Sequence, residues 1–548
     1  MTATQALALL LFILGSCAIA GLARRRGVAA PILLVLAGLA ASYIPGVPVF
    51  RLQPDVILFV VLPPLVYTTA LESSYLSLRD NLRPLALLSV GLVLFTTAVA
   101  GAAARLAVPG LSLAAAFTLG AILAPTDAVT TASIGRRLHL PRRLLTVITG
   151  ESMLNDGTAL TLYAVGVSAA ATTVATPSPL ADLRSLVLIS AGGAAAGLVL
   201  GWLLHRIRRR LRDPLVESAL SLLAPFTAYL AADSLHVSGI LAVVVTGLYL
   251  GHHGGQAHFA TRLQDMAVWR VATFVLESVA FALIGLQLRP VLQDLGHRDP
   301  AQLAAEAAIV LTAVIVARIV WVFPAIYLPR WLVPRIRKTD PAPGWPATLV
   351  LSWAGLRGVI SLAAAAALPA SVPQRSLLVF LTFTTVLGTL LVQGLTLPRL
   401  IGWLGVRAGP DERQADTKAQ VDAQHAASEA GLRRLAELAA QDPDSAPDEV
   451  VERLRRLAEY RQAGARERLP GGGPDGGEAA PSAAFRRLRR EMTAAERAEL
   501  IRLRDERRID DEVLEELLHH LDLEEAMLSR GEWDTAGGDP GPGTPVTG

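Results

Sequence analysis

Two short stretches of this sequence place oxygen-bearing side chains inside otherwise apolar segments. The first is Pro125-Thr126-Asp127, and the second is the run 150–157, which reads Gly-Glu-Ser-Met-Leu-Asn-Asp-Gly. Ser152 and Asp156 are four residues apart, so they share one face of a helix, and Asn155 lies at the edge of that face. Carboxylate, amide and hydroxyl oxygens suit hard cations rather than zinc or copper. The pattern therefore predicts a site for a monovalent cation.

The rest of the sequence has the composition of a membrane protein. Of its 548 residues, 52% are hydrophobic and 18% are charged, and the mean hydropathy is +0.45, whereas soluble domains carry about 25% charged residues. Its single cysteine excludes a disulfide scaffold, and a net charge of +3 argues against nucleic-acid binding. Segments long and apolar enough to span a bilayer as helices are predicted at 4–23, 29–46, 54–71, 84–104, 112–134, 144–171, 185–204, 214–232, 237–251, 270–288, 303–328, 347–368 and 376–398.

Charge patterning orients these segments and divides the chain. Arginine and lysine residues concentrate in alternate loops, beginning with 24–26, and this asymmetry places the N-terminus outside and the C-terminus in the cytoplasm. Beyond residue 409 no segment is long enough to cross a bilayer, and acidic residues outnumber basic ones. We predict a transmembrane domain at 1–409 and a helical cytoplasmic tail at 410–548, with a flexible linker at 470–477 and a disordered end at 537–548.

Two of the predicted spans carry signals for a break inside the membrane. Pro125 lies in the fifth span, and Gly355 and Gly358 flank Leu356-Arg357 in the twelfth. Opened backbone at membrane depth is tolerated where it lines a polar cavity, and breaks in corresponding halves of a chain mark transporter binding sites. The two spans are seven apart, which gives them opposite orientations, as an inverted repeat requires.

Ionisable residues inside the spans each cost about 3 kcal/mol or more at the bilayer centre. We expect Arg318 to be paired with a carboxylate inside the membrane, and Glu217 and Glu277 to be paired with opposite charges. His252, His253 and His258 fall in a predicted glycine-rich loop. A solvated connection is the favoured interpretation, and a pH sensor is the alternative because histidine titrates near neutral pH.

The motifs resemble those of the monovalent cation/proton antiporter family, which includes the bacterial NhaP-type and animal sodium/proton exchangers. The resemblance covers most of residues 1–405 and is carried by the Pro-Thr-Asp and Gly-Glu-Ser-Met-Leu-Asn-Asp stretches, by Gly355-Leu356-Arg357-Gly358 and by the Leu62-Pro63-Pro64 turn. It implies a homodimer in which two unwound helices cross inside a six-helix core. On this resemblance the core helices are at 84–171 and 303–398, and the dimerisation or scaffold helices are at 4–71 and 185–288.

The same resemblance implies a role for each motif residue. Asp156 would carry the ion and the proton, with Thr126 and Ser152 as further ion ligands. Glu151 would pair with Arg318, while Asp127 and Arg357 would balance the dipoles of the crossed helices. Asn155 matches the residue of the electroneutral members, and Glu72 resembles an acidic residue near the site in some relatives. These two residues complete the predicted ion- and proton-binding set.

The sequence thus predicts a secondary active sodium/proton antiporter of the cell membrane, not an enzyme, with no cofactor. Its predicted partners are sodium, with lithium or potassium as alternatives, protons, membrane lipid and a second copy of the chain. A potassium/proton carrier, or a carrier for another monovalent cation, is the alternative function. An intramembrane aspartyl protease using Asp127 and Asp156 is disfavoured because the sequence lacks a Gly-x-Gly-Asp run.

Overall fold

A computed structural model gives the conformation of most of the chain. The residues that it describes are 3–26, 30–44, 57–171, 179–211, 213–296, 298–340, 342–442, 446–467, 481–506 and scattered positions between 508 and 525. They belong to two compact units, Met1–Arg407 and Ala408–Gly548. The predicted linker at 470–477 and the predicted disordered end at 537–548 lie outside the described residues.

The first unit is built from helices, with no β-strand among its described residues. In chain order they are α1 (Ala3–Arg25), α2 (Ala30–Ala41), α3 (Leu62–Glu72), α4 (Tyr75–Asp80), α5 (Leu82–Ala107), α6 (Leu113–Leu123), α7 (Ala128–Arg137), α8 (Arg142–Ala171), α9 (Pro179–Leu211), α10 (Pro214–Ser234), α11 (Gly239–His253), α12 (Phe259–Leu295), α13 (Pro300–Leu332), α14 (Pro334–Thr339), α15 (Trp345–Trp353), α16 (Val359–Ala366) and α17 (Arg375–Leu404). Helix α11 continues to His253, so the prediction that His252 and His253 lie in a loop is wrong.

The all-α, multi-pass class that the sequence predicts is confirmed. Among the described residues, seven helices are long and apolar enough to cross a membrane, and three shorter apolar helices accompany them. Their outward-facing leucine, valine and tryptophan side chains are exposed in the isolated chain, as lipid-facing residues are. The count of thirteen crossings and the inverted repeat stay predictions.

Apolar packing gathers the helices that carry the polar motifs. Leu119 and Leu123 of α6 are buried in one cluster with Val310 of α13 and with Leu378 and Leu381 of α17. A second cluster contains residues of α3, α10, α11 and α12, among them Tyr67, Ala224, Val243 and Trp269. The interrupted elements are therefore embedded in packed helices rather than exposed at an edge. The predicted division into core and dimerisation helices stays a prediction.

A loop at one end of this unit is held by a cluster of charges. The carboxylate of Asp340 bonds with the guanidinium groups of Arg83, Arg143 and Arg330, the last at 3.0 Å. Partial burial by itself raises the pKa of Asp340, but the hydrogen bonds and charges of Arg143 and Arg330 outweigh it and hold that pKa below its ordinary value. The loop that precedes α15 is thereby fixed against the ends of α5, α8 and α13.

The second unit contains α18 (Pro410–Gln441), α19 (Asp448–Arg466) and α20 (Pro481–Asp505). Its side chains interact mainly through charge: Arg489 pairs with Glu524 at 2.6 Å and Arg497 with Glu525 at 2.8 Å. Within the described part of α18 and α19, Val421 and Ala465 are the buried side chains. This thin core fits a solvated helical appendage, and a regulatory or dimerising role stays a prediction.

Helices α5 and α6 approach so closely that the contact requires a glycine. A Cβ atom added at Gly120 would lie 2.1 Å from the carbonyl oxygen of Thr97, a backbone atom that cannot rotate away. At Gly21 of α1, by contrast, an added Cβ would meet nothing within 4 Å. The close contact positions the end of α6, where the first polar motif begins.

We expect Gly120→Ala to push α5 and α6 apart and to destabilise the protein by about 1–3 kcal/mol, the usual cost of overpacking. Gly21→Ala is the matched control, because the same methyl group enters open space, and it should unfold at or slightly above the wild-type temperature, since alanine favours the helix more than glycine does. Thermal unfolding of the purified chain in detergent, followed by tryptophan fluorescence, measures both variants. Equal unfolding temperatures for Gly120→Ala and the wild type would show that this contact does not hold the helices together.

Candidate ion-binding site at the crossing of two interrupted helices

Two helical segments stop and restart within the first unit. Helix α6 ends at Leu123 and α7 begins at Ala128, while α15 ends at Trp353 and α16 begins at Val359. Pro125 has no N–H to donate and its ring clashes with the preceding turn of the helix, which accounts for the first interruption. The residues at 124–127 and 354–358 are therefore not helical, and their backbone groups need other partners.

The two interruptions satisfy each other. The backbone N–H of Asp127 donates to the carbonyl of Leu356 at 2.8 Å. The Nη1 of Arg357 donates to the carbonyls of Ala124 at 3.1 Å and Pro125 at 3.2 Å. Because each segment supplies a group that the other lacks, the pair forms one crossing in the buried interior.

Glycine makes the crossing possible on both of its sides. A Cβ atom at Gly355 would lie 2.3 Å from Cδ of Arg318, and a Cβ atom at Gly358 would lie 2.8 Å from Cβ of Asp127. Any larger residue at these positions would displace an ionisable side chain. The glycines that indicated a break in the sequence thus also create the space for two charged groups.

Asp127 caps the first turn after the interruption. Its Oδ1 accepts hydrogen bonds from the backbone N–H groups of Val129 at 3.0 Å and Thr130 at 3.2 Å, and its Oδ2 accepts one from the Thr130 hydroxyl. A carboxylate there stabilises the positive end of the α7 dipole. Arg357, 1% exposed, contacts the carbonyls at the opposite, negative end of α6. The two charges therefore have local electrostatic partners within the crossing.

A cluster of buried oxygen atoms lies beside the first interruption. Thr126 Oγ1 is 2.7 Å from Ser152 Oγ and accepts a hydrogen bond from Asn155 Nδ2 at 2.8 Å. Asp156 follows one helical turn after Ser152 on α8, and all four side chains are less than 5% exposed. Among the described residues, Asn155 Oδ1 and Asp156 Oδ1 have no hydrogen-bond partner. Buried acceptors without a donor are costly, so these two oxygens are suited to take a cation or a proton.

The neighbouring acid on α8, Glu151, has a fixed partner. Glu151 is fully buried, and its carboxylate forms a two-pronged pair with Arg318 of α13, in which Nη2 and Oε2 are 2.9 Å apart. Arg318 also donates to the carbonyl of Leu351 from Nη2 at 3.1 Å. The charge of Glu151 is thus neutralised within the helix bundle, and Asp156 does not share this arginine.

The structure separates other predicted residues from the cluster. Glu72 is exposed at the last position of α3, and its carboxylate forms no hydrogen bond or ion pair with a described residue. Glu217 accepts a hydrogen bond from Thr261 at 3.0 Å instead of pairing with a basic residue. Glu277 likewise forms no ion pair within the described part of the chain. The predicted pairing of these two acids with opposite charges is therefore not found there.

Two supporting groups were not among the predicted site residues. The hydroxyl of Thr389 on α17 accepts the backbone N–H of Arg357 at 3.2 Å, and the carbonyl of Leu351 receives Arg318. Thr389 follows Thr382, Thr384 and Thr385 in an apolar span, and this repeated hydroxyl type was the available signal. Every residue has a backbone carbonyl, so the residue types do not show that the carbonyl of Leu351 will accept a hydrogen bond.

The chain is similar to proteins of known family over most of its length. The family model described as sodium/hydrogen exchanger, transmembrane, matches residues 9–403. An uncharacterised Na⁺/H⁺ exchanger of Mycobacterium tuberculosis is 36% identical over 92% of this chain and 93% of its own length. The low-affinity Na⁺/H⁺ antiporter NhaS1 of Synechocystis is 32% identical, over 79% of each chain.

A solved structure shares the fold. The sodium proton antiporter MjNhaP1 of Methanocaldococcus jannaschii superposes with a TM-score of 0.58, covering 72% of this chain and 97% of that one at 18% identity. The residues that the family model matches include the motifs at 125–127, 150–157 and 355–358. These proteins are transporters and not enzymes, which confirms that part of the prediction. The chain belongs to the sodium/hydrogen exchanger family of multi-pass membrane transporters.

Proposed function

We propose that this protein exchanges sodium ions for protons across the membrane, and that Asp156 carries either one. The observation that carries this assignment is the contrast between two buried acids on α8. Glu151 is held by Arg318, whereas Asp156 Oδ1 is buried with no hydrogen-bond partner among the described residues. A carboxylate that is left free by its surroundings can accept a transported ion.

Exchange follows from competition at this carboxylate. A buried, unpaired negative charge is costly, so Asp156 is stable when a proton or a cation neutralises it. The two do not bind together, because protonation removes the negative charge that attracts the cation. If the empty, charged form crosses slowly, each passage of the site carries one of the two ions, and opposite gradients become coupled.

The neighbouring oxygens supply the rest of a cation site. Thr126, Ser152 and Asn155 are already linked by hydrogen bonds of 2.7 and 2.8 Å, so little reorganisation is needed to turn their oxygens toward an ion. Oxygen ligands of this kind suit sodium or lithium, and potassium if the site widens. The exposed carboxylate of Glu72 contributes, in this proposal, by attracting cations toward the site rather than by binding them.

The other charges position the site and do not bind the transported ions in this proposal. Asp127 and Arg357 balance the helix ends at the crossing, and Glu151 with Arg318 joins α8 to α13. The crossing would then move as one body against the other helices and expose Asp156 to each side in turn. The functional unit in this proposal is a homodimer.

We place the protein in the cell membrane with its N-terminus outside and its acidic tail in the cytoplasm. The support is the concentration of arginine in alternate loops, including the ends of α1 and α9.

Potassium/proton exchange is the alternative function. A transport assay that compares sodium, lithium and potassium chlorides separates it from sodium/proton exchange.

Asp156→Asn should reduce exchange to background, because the amide keeps the size of the side chain but cannot alternate between a proton and a cation. Glu306→Gln is the matched control: Glu306 is also a buried carboxylate, 2% exposed, but it lies near the start of α13 and outside the cluster. This control should retain exchange.

The measurement is the recovery of a pH-sensitive dye after addition of sodium chloride to acidified proteoliposomes that contain each purified variant. Both variants should unfold near the wild-type temperature, which shows that a loss of exchange is not a loss of folding. Exchange by Asp156→Asn at more than half the wild-type rate would contradict the assignment of the carrier carboxylate.

We also expect one proton to be exchanged for one sodium ion, because Asn155 is neutral and Asp156 is the titrating group of the cluster. In proteoliposomes, a membrane potential imposed with potassium and valinomycin should then leave the rate of sodium-driven proton movement unchanged. An accelerated or slowed rate at constant ion gradients would mean that net charge crosses the membrane, and a second titrating group would be required.

A further inference from the structure

Helices α9 and α11 end side by side and enclose a cavity between their last turns. The cavity has a volume of about 420 Å³ and is lined by Trp202, His205, Arg206, Arg209, Tyr249 and His253, which we call the basic pocket. None of the residues at the crossing of the interrupted helices belongs to it. The exchange that we propose does not use this cavity.

The basic pocket presents positive charge that nearby acids do not neutralise. Arg208, on a neighbouring face of α9, is paired with Asp265 at 2.9 Å. Arg206 and Arg209 are exposed and form no ion pair with a described residue. No carboxylate is among the described residues that line the cavity. Two free guanidinium groups in one concave site favour an anion, and their planar donor geometry favours phosphate.

Aromatic rings line the basic pocket beside the two arginines. The rings of Tyr249 and His253 stack with their centres 4.4 Å apart, and the ring of His205 lies 4.8 Å from that of His253. His253 Nδ1 is 2.8 Å from the carbonyl of Tyr249, which fixes the orientation of the imidazole. These contacts hold the rings in place, so binding there requires little further ordering.

The surface of α9 that leads to the basic pocket is apolar. Leu198, Val199 and Trp202 are exposed by 51%, 65% and 55%, and they continue to Arg206 and Arg209 at three- and four-residue spacing. Tryptophan beside arginine is typical of the depth at which lipid headgroups meet the hydrocarbon core. An apolar stripe that ends in a cationic cavity matches a molecule with hydrocarbon at one end and phosphate at the other.

We propose that the basic pocket binds the phosphate group of an anionic phospholipid, whose acyl chains lie along Leu198, Val199 and Trp202. Free inorganic phosphate would supply the same phosphate chemistry, but it has no hydrocarbon to pack against the apolar stripe. Arginines at a helix end also complement the helix dipole, but that effect would not distinguish Arg206 and Arg209 from their neighbour Arg210.

The test compares Arg206→Gln/Arg209→Gln with Arg79→Gln/Arg210→Gln in the full-length chain purified in detergent. Both double variants lose two exposed arginines, but the second pair does not line the cavity. Each protein is titrated with phosphatidylglycerol, with phosphatidylcholine and with inorganic phosphate. The rise in unfolding temperature gives an apparent affinity, because a ligand of the folded state stabilises it.

Phosphatidylglycerol should stabilise the wild type and the control pair alike, and Arg206→Gln/Arg209→Gln should weaken its apparent affinity about tenfold or more. Phosphatidylcholine and inorganic phosphate should have much smaller effects. Equal phosphatidylglycerol affinity in the two double variants would overturn the site. An equal response to phosphatidylcholine, or an inorganic phosphate response that accounts for the whole effect, would overturn the assignment to an anionic phospholipid.

Discussion

The site depends on the mutual hydrogen bonding of two interrupted helices. Backbone groups freed inside a membrane protein have no water to bind, and each unsatisfied group costs several kcal/mol. Here the Asp127 N–H bonds to Leu356, and Arg357 bonds to the carbonyls of Ala124 and Pro125. Each break is therefore tolerated because of the other, and the oxygens of Thr126 and its neighbours are held together at the point where the breaks meet.

Charge is divided among the ionisable groups of the crossing and of the adjacent stretch of α8 so that one of them is left without a fixed partner. Glu151 is neutralised by Arg318, while Asp127 and Arg357 lie at helix ends of opposite polarity. Asp156, one turn from Ser152, receives no such partner among the described residues. This asymmetry separates groups that maintain the structure from the one that we propose to exchange ions. Burial alone would not separate them, because Glu151 and Arg357 are at least as buried as Asp156.

Much of this arrangement could be predicted from local sequence, because the physical causes are local. A proline and two glycines indicated the breaks, and four-residue spacing placed Ser152 and Asp156 on one helical face. Contacts made by backbone atoms or by distant hydroxyls could not be predicted, as Leu351 and Thr389 show. The extension of α11 through His252 and His253 was missed because the following glycines suggested an earlier end. The exposed position of Glu72 depends on tertiary packing, which residue type does not specify.

In the exchange that we propose, Asp156 holds a proton or a sodium ion and never both. Calorimetric titration of the purified chain with sodium chloride, repeated in buffers of different ionisation enthalpy, counts the protons released for each sodium ion bound. In the acidic range we expect a release approaching one proton per ion, and an apparent sodium affinity that falls about tenfold for each unit by which the pH is lowered. Sodium binding that releases no proton at any pH, with an affinity that does not change with pH, would show that the proton and the sodium ion do not compete for one carboxylate.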